Sequence, residues 1–156
     1  MGVLVDAPGV EAPPVQLTVP ARPEFVGLVR LFVATLAASR RELAEERVDD
    51  LKLAVSEATT NAMESYRSAG RDAVVTVTWW DGPDRLVVSV ADEGGGFDVD
   101  KVPKHPPVTT SERLRFERGL GIPIIRALVD ECAFERMPKG MTVRLVMFCG
   151  PREDRA

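Results

Sequence analysis

Residues 74–96 read Val74-Val75-Thr76-Val77-Thr78-Trp79-Trp80-Asp81-Gly82-Pro83-Asp84-Arg85-Leu86-Val87-Val88-Ser89-Val90-Ala91-Asp92-Glu93-Gly94-Gly95-Gly96. Val74 to Trp80 is a run of β-branched and aromatic residues, and Arg85 to Ala91 reads as its return strand. Asp81 to Asp84 between them has turn chemistry. So short a connection makes the two strands antiparallel, because parallel neighbours need a crossover of about a dozen residues or more. The glycines after the second strand invite a phosphate-loop reading. However, they follow a hairpin and not the first strand of a βαβ unit, which excludes a dinucleotide fold. No G-x-x-x-x-G-K-[ST] sequence occurs anywhere in the chain.

Upstream, residues 1–14 are rich in Pro, Gly and Ala and are expected to form a flexible tail. Val15 to Val19 alternates with period two and predicts a short strand, ended by Pro20. Pro23 suits the first turn of a helix whose stripe is Phe25, Leu28, Val29, Phe32 and Leu36. After a charged connection from Arg40 to Arg47, a second helix is expected from Val48 to Tyr66. Its stripe is Val48, Leu51, Val55, Ala58 and Ala62.

Downstream, Asp98 to Arg118 lacks periodicity, carries three prolines and many charges, and reads as a lid. A third helix opens at Gly119-Leu120-Gly121, with Ile124, Ile125, Leu128 and Cys132 as its stripe. Strands at Cys132–Met137 and Met141–Phe148 flank the turn Pro138-Lys139-Gly140, and residues 149–156 are a tail. The expected fold is α+β: a two-layer sandwich of a mixed, mostly antiparallel sheet with helices on one face. The folded domain covers residues 15–148, with 98–118 as the lid.

Composition narrows the function. The 156 residues carry a net charge of −4, against the basic field of a dedicated nucleic-acid binder. No apolar run approaches the ~18 residues of a membrane span, and no signal peptide is visible. Two cysteines and one histidine give neither a disulfide framework nor a four-ligand zinc site. A reduced, cytoplasmic protein is expected.

Four constellations could carry chemistry. Glu57 and Asn61 stand four apart on the second helix, so they share one ridge. At about 100° per residue they lie roughly 90–130° from the middle of the apolar stripe. A solvated flank is the plain alternative. Against it, Leu53 lies on the same ridge and no Lys or Arg follows Glu57 at i+4. A carboxamide oxygen suits Mg²⁺, and a carboxylate can take a proton from a hydroxyl. Asp92 directly precedes the glycines at a strand end, where it could accept a hydrogen bond from an exocyclic amine. Glu117-Arg118-Gly119-Leu120-Gly121 opens a helix, where freed backbone N–H groups and an arginine favour an anion. Gly140-Met141-Thr142 enters the last strand and says nothing alone.

In this order the four elements resemble the N, G1, G2 and G3 boxes of the GHKL (Bergerat-fold) ATPase superfamily. Within it, Val55-Ser56-Glu57-Ala58-Thr59-Thr60-Asn61-Ala62 resembles the anti-sigma factor serine/threonine kinases of the RsbW type. The resemblance covers residues 15–148 and implies ATP and Mg²⁺ as cofactors. It further implies that Glu57 is the general base, Asn61 the Mg²⁺ ligand and Asp92 the adenine reader. Gly94 and Gly96 would allow close approach to the nucleotide, and Thr109 and Thr110 match a threonine pair in the lid. Arg118, Gly119, Leu120 and Gly121 match its phosphate-facing end. The last box has Met141 where a threonine is usual, so either Thr142 supplies the hydroxyl or the adenine is held more weakly. The implied partners are a sigma factor and an anti-anti-sigma STAS-domain protein that is phosphorylated on Ser or Thr; a homodimer is also implied. Two other functions fit the same boxes: a switch kinase of a STAS scaffold without sigma binding, and a non-catalytic ATP-binding module that sequesters its partner.

Overall fold

The computed structural model describes residues 12–65, 73–92, 121–138 and 140–150. In chain order the elements are β1 (Val15–Pro20), a 3-10 turn (Pro23–Phe25), α1 (Val26–Ala38), α2 (Glu45–Glu64), β2 (Val74–Asp81) and β3 (Arg85–Asp92). They are followed by α3 (Gly121–Leu128), β4 (Glu131–Met137) and β5 (Gly140–Phe148). The strands form one sheet in the order β1-β2-β3-β5-β4. All four described pairings are antiparallel, with Trp80 opposite Val87 in the central hairpin.

Strand alternation divides the sheet cleanly. Val75, Val77 and Trp79 of β2, Leu86, Val88 and Val90 of β3, and Val143, Leu145 and Met147 of β5 enter one core. The helices supply Val29, Val33 and Ala37 from α1 and Leu51, Val55, Ala58 and Ala62 from α2. The residues of opposite parity, Trp80, Val87 and Val146 with Phe148, make a small separate cluster. Helices on one face of an antiparallel sheet are thus written in the period-two and period-3.6 patterns together.

The helices differ from expectation in instructive ways. α2 starts at Glu45, three residues before Val48, and places Glu45 and Glu46 in its first turn, where carboxylates favour the helix dipole. On α1 the buried positions are Val29, Val33 and Ala37, whereas Leu28 is 46% exposed. On α3, Ile122 and Ile125 are buried and Ile124 is 38% exposed. Cys132 belongs to β4 and not to the α3 stripe.

α2 is oriented by one clamp. Arg47, in its first turn, donates through Nη1 to the carbonyl of Leu128 at the end of α3 (3.0 Å) and through Nη2 to Oδ2 of Asp130 (2.9 Å). The same carboxylate oxygen accepts the N–H of Phe148 (2.8 Å), which pairs with Arg85. The start of α2 therefore sits at the Arg85 end of β3, and the helix runs towards the Asp92 end. At the Arg85 end, Arg40 also pins the hairpin turn, pairing with Asp81 and donating to the carbonyls of Gly82 and Pro83.

Candidate active site

Glu57 and Asn61 occupy the C-terminal half of α2, both half-buried. The preceding residue fixes their rotation. Buried Ser56 donates to the carbonyl of Lys52 (2.7 Å) and accepts from Nε of Arg30 on α1 (2.9 Å). With Ser56 held against α1, its neighbour Glu57 is turned about 100° away, towards α3. Gly121, the first residue of α3, meets the pair there. A Cβ built on Gly121 would lie 3.1 Å from Oε2 of Glu57, 3.1 Å from Nδ2 of Asn61 and 3.4 Å from Oδ1 of Asn61. Gly121 does not have a positive φ, so this glycine is required by close approach and not by backbone conformation. Among the described residues, neither Glu57 nor Asn61 forms a side-chain hydrogen bond or an ion pair.

This arrangement fits a magnesium nucleotide. The amide oxygen of Asn61 and the carboxylate of Glu57 are hard oxygen donors. No cluster of three metal-ligating side chains exists among the described residues. Mg²⁺ keeps several waters and takes only one or two protein ligands, so these two donors are of the kind that could hold it. Gly121 brings the start of α3 up against both side chains, because it carries no Cβ of its own.

Asp92 is half-buried at the end of β3, opposite Val75. It shares the parity of Leu86, Val88 and Val90, so it stands on the helix face, at the sheet end to which α2 runs. Thr142 pairs with Ala91, and the pleat puts both on the opposite face. The hydroxyl expected from Thr142 is therefore separated from Asp92 by the sheet itself. Carried one residue further, the same register sets buried Met141 beside Asp92, with the core residues Val143 and Leu145 on its face. The signal was present in the sequence: Met141, Val143, Leu145 and Met147 alternate as one apolar set.

The structure thus brings Glu57, Asn61 and Gly121 into contact range and puts Asp92 at the same end of the sheet. Gly94, Gly96, Thr109, Thr110, Arg118, Gly119 and Leu120, together with the 98–118 lid, lie outside the described residues. Sequence reasoning did not mark Arg47, Asp130 or Ser56, because their roles depend on which elements become neighbours.

Known proteins resemble both the sequence and the fold. The family model described as histidine kinase-like ATPase domain matches residues 19–147. "Serine-protein kinase RsbW" of Bacillus subtilis (strain 168) is 36% identical over 145 residues, covering 90% of this chain and 89% of the relative. The protein of that name from Listeria monocytogenes is 36% identical over 120 residues, covering 75% and 76%. Among solved structures, the RsbU and RsbW domains of Rv1364c from Mycobacterium tuberculosis superpose with a TM-score of 0.61 at 21% identity. That match covers 90% of this chain and a third (33%) of the longer one, and it bears on the fold. The boxes, the sheet and these relatives agree: the chain belongs to the histidine kinase-like ATPase family, among its RsbW-type serine/threonine-protein kinases.

Proposed function

We propose that this kinase acts in the cytoplasm, holds a sigma factor, and phosphorylates a Ser or Thr of an anti-anti-sigma STAS-domain protein that competes for it. The observation that carries the reading is the packing of Gly121 against Glu57 and Asn61. It supports the reading because Glu57, Asn61 and the first residue of α3 stand within one side chain's reach of one another.

Each residue has a task in this reading. Asn61 holds Mg²⁺ through its amide oxygen. Asp92 accepts a hydrogen bond from the adenine amine, and Met141 packs beside the base. The start of α3 faces the phosphates. Glu57 takes the proton of the acceptor hydroxyl as its oxygen bonds to the γ-phosphorus and the bond to the ADP oxygen breaks. Bound Mg-ATP supplies the phosphoryl group, with the metal offsetting its charge.

The test measures label transfer from radioactive ATP to the purified STAS proteins of the host cell beside nucleotide affinity. Glu57→Gln should keep Mg-ATP binding and sigma binding and lose about 10²–10⁴ in transfer rate. Asn61→Ala should lose Mg²⁺-dependent nucleotide binding as well. Asp92→Asn should weaken ATP binding roughly 10- to 150-fold through the lost charged hydrogen bond. Full transfer by Glu57→Gln would remove Glu57 from the chemistry.

A further inference from the structure

Two helices flank α2. On one side α3 runs antiparallel to it, with Leu128 bonded to Arg47 at one end and Gly121 against Glu57 and Asn61 at the other. On the other side lies α1, whose Val29 and Val33 are fully buried in the same core as Val55 of α2. Among the described residues, the side-chain hydrogen bond that joins α1 to α2 runs from Nε of Arg30 to Oγ of Ser56, at 2.9 Å. Its polarity is fixed. The Ser56 hydroxyl has one proton and gives it to the carbonyl of Lys52 (2.7 Å), which leaves the oxygen as an acceptor towards α1.

The bond is unlike a surface ion pair. Ser56 is only 6% exposed, whereas Arg30 stands at the surface and forms no ion pair among the described residues. Its place along α2 gives it a consequence. Ser56 directly precedes Glu57, whereas Arg47 lies ten residues before Glu57, roughly 15 Å along the axis. The Arg47 clamp thus governs the start of the helix, and the Arg30 bond acts where Glu57 stands. A side-chain tip about 5–6 Å from a helix axis swings about 1 Å when the helix rolls by about 10°. A displacement of that size is enough to cost about 10²-fold in a positioned reaction.

We propose that Arg30 and Ser56 form a latch between α1 and α2 that sets the roll of α2 and so positions Glu57 for phosphoryl transfer. Both are positioning residues, acting through Glu57, and the latch rests on the kinase reading of that residue. Asn61 shares the ridge, but Mg²⁺ keeps several waters that take up a small shift of one ligand. The effect of a loosened latch therefore falls on the base, whose distance to the acceptor hydroxyl has no such slack.

The test uses the full chain, radiolabelled Mg-ATP and the purified, unphosphorylated STAS-domain proteins of the host cell. Ser56→Ala removes the acceptor, keeps every charge and supplies a better helix former, so Tm should hold or rise. Its kcat should fall about 10- to 100-fold. KM for the protein substrate and Mg-ATP affinity should stay within about threefold, which marks a loss confined to the transition state. Arg30→Met keeps the apolar stem and removes the donor, and it should lose kcat to the same extent. The double variant should be no slower than either single one, because both break one bond. Wild-type kcat in Ser56→Ala, losses that add in the double variant, or a loss carried by KM alone would overturn the latch while leaving the kinase reading intact. Mg-ATP binding with no transfer to any STAS protein by the unaltered chain would overturn the kinase reading, and the latch with it.

Discussion

Arg47 and Asp130 are joined at 2.9 Å across the end of the α2–α3 groove farthest from Gly121, each with its side chain only 21% exposed. The guanidinium also caps the last carbonyl of α3, and the carboxylate also holds the N–H of Phe148. One arginine thus secures two helices and the last strand. Arg47→Met should destabilise the fold by about 1.5–3 kcal/mol, the usual worth of hydrogen bonds to charged groups. That corresponds to a fall in Tm of roughly 3–12 °C for a domain of this size. Arg47→Lys should recover little, because a point ammonium cannot serve two separate acceptors as the planar fork does. Urea melts with an unchanged m-value would check both.

Gly121→Ala separates fold from chemistry. Alanine favours a helix over glycine by about 1 kcal/mol, so the melting temperature should hold or rise. The added methyl stands 3.1 Å from both the Glu57 and Asn61 side chains, so these must move aside by a few tenths of an ångström. Phosphoryl transfer should fall about 10- to 100-fold, since misplacement of a positioned group is costly out of proportion to its size. Calorimetry beside a transfer assay would show this; equal activity would mean that the close approach has no bearing on the reaction.

Thr59 is fully buried, and its hydroxyl has no hydrogen-bond partner among the described residues. Thr59→Val keeps the shape and removes the orphaned polar atom. It should stabilise the protein by about 1 kcal/mol, a rise of roughly 2–4 °C. Two residues from both Glu57 and Asn61, it lies about 160° round α2 from either, so ATP affinity should not change. A loss of stability in thermal melts would show that the hydroxyl is satisfied in solution.

The Cys132 thiol is half-buried, and burial pushes it up to about 11 from its ordinary 9.0, with Arg126 pulling weakly the other way. The folded state therefore keeps its proton more tightly than the unfolded chain. The stabilisation this gives is fully present below pH 9 and is lost as the pH rises towards 11. Alkylation of the native protein at pH 8 should be slow at Cys132 and should become fast in denaturant, because only the thiolate reacts. Peptide mapping after timed iodoacetamide exposure would show it.

Much of this was legible before the structure. The hairpin, its antiparallel sense and the sheet's two faces follow from Val74–Ala91 alone, because alternation is local. So does the shared ridge of Glu57 and Asn61. What a single helix cannot reveal is which neighbour covers each flank. Leu28 and Ile124 lie in the apolar stripes of their helices yet emerge 46% and 38% exposed, which the period of a helix taken alone does not foretell. Gly121 looked like half of a G-x-G motif; only the antiparallel passage of α3 along α2 turns it into the residue that faces Asn61. Thr142 stands on the face away from Asp92 and Met141 on the face towards it, because the pleat of a strand sets the face whatever the spelling of a motif.

The strand order has a consequence for how such a molecule can vary. β3 and β5 are neighbours in space, yet the chain between them leaves at Asp92 and returns through α3 at Gly121, both beside the site. The α2 ridge beside them cannot change its length, because one inserted residue would turn Glu57 and Asn61 about 100° relative to everything before them. A single insertion or deletion is therefore ruinous within α2. Descendants of this fold have to keep the length of α2 from Arg47 to Asn61, so that the clamp at one end and the approach of Gly121 at the other stay in phase.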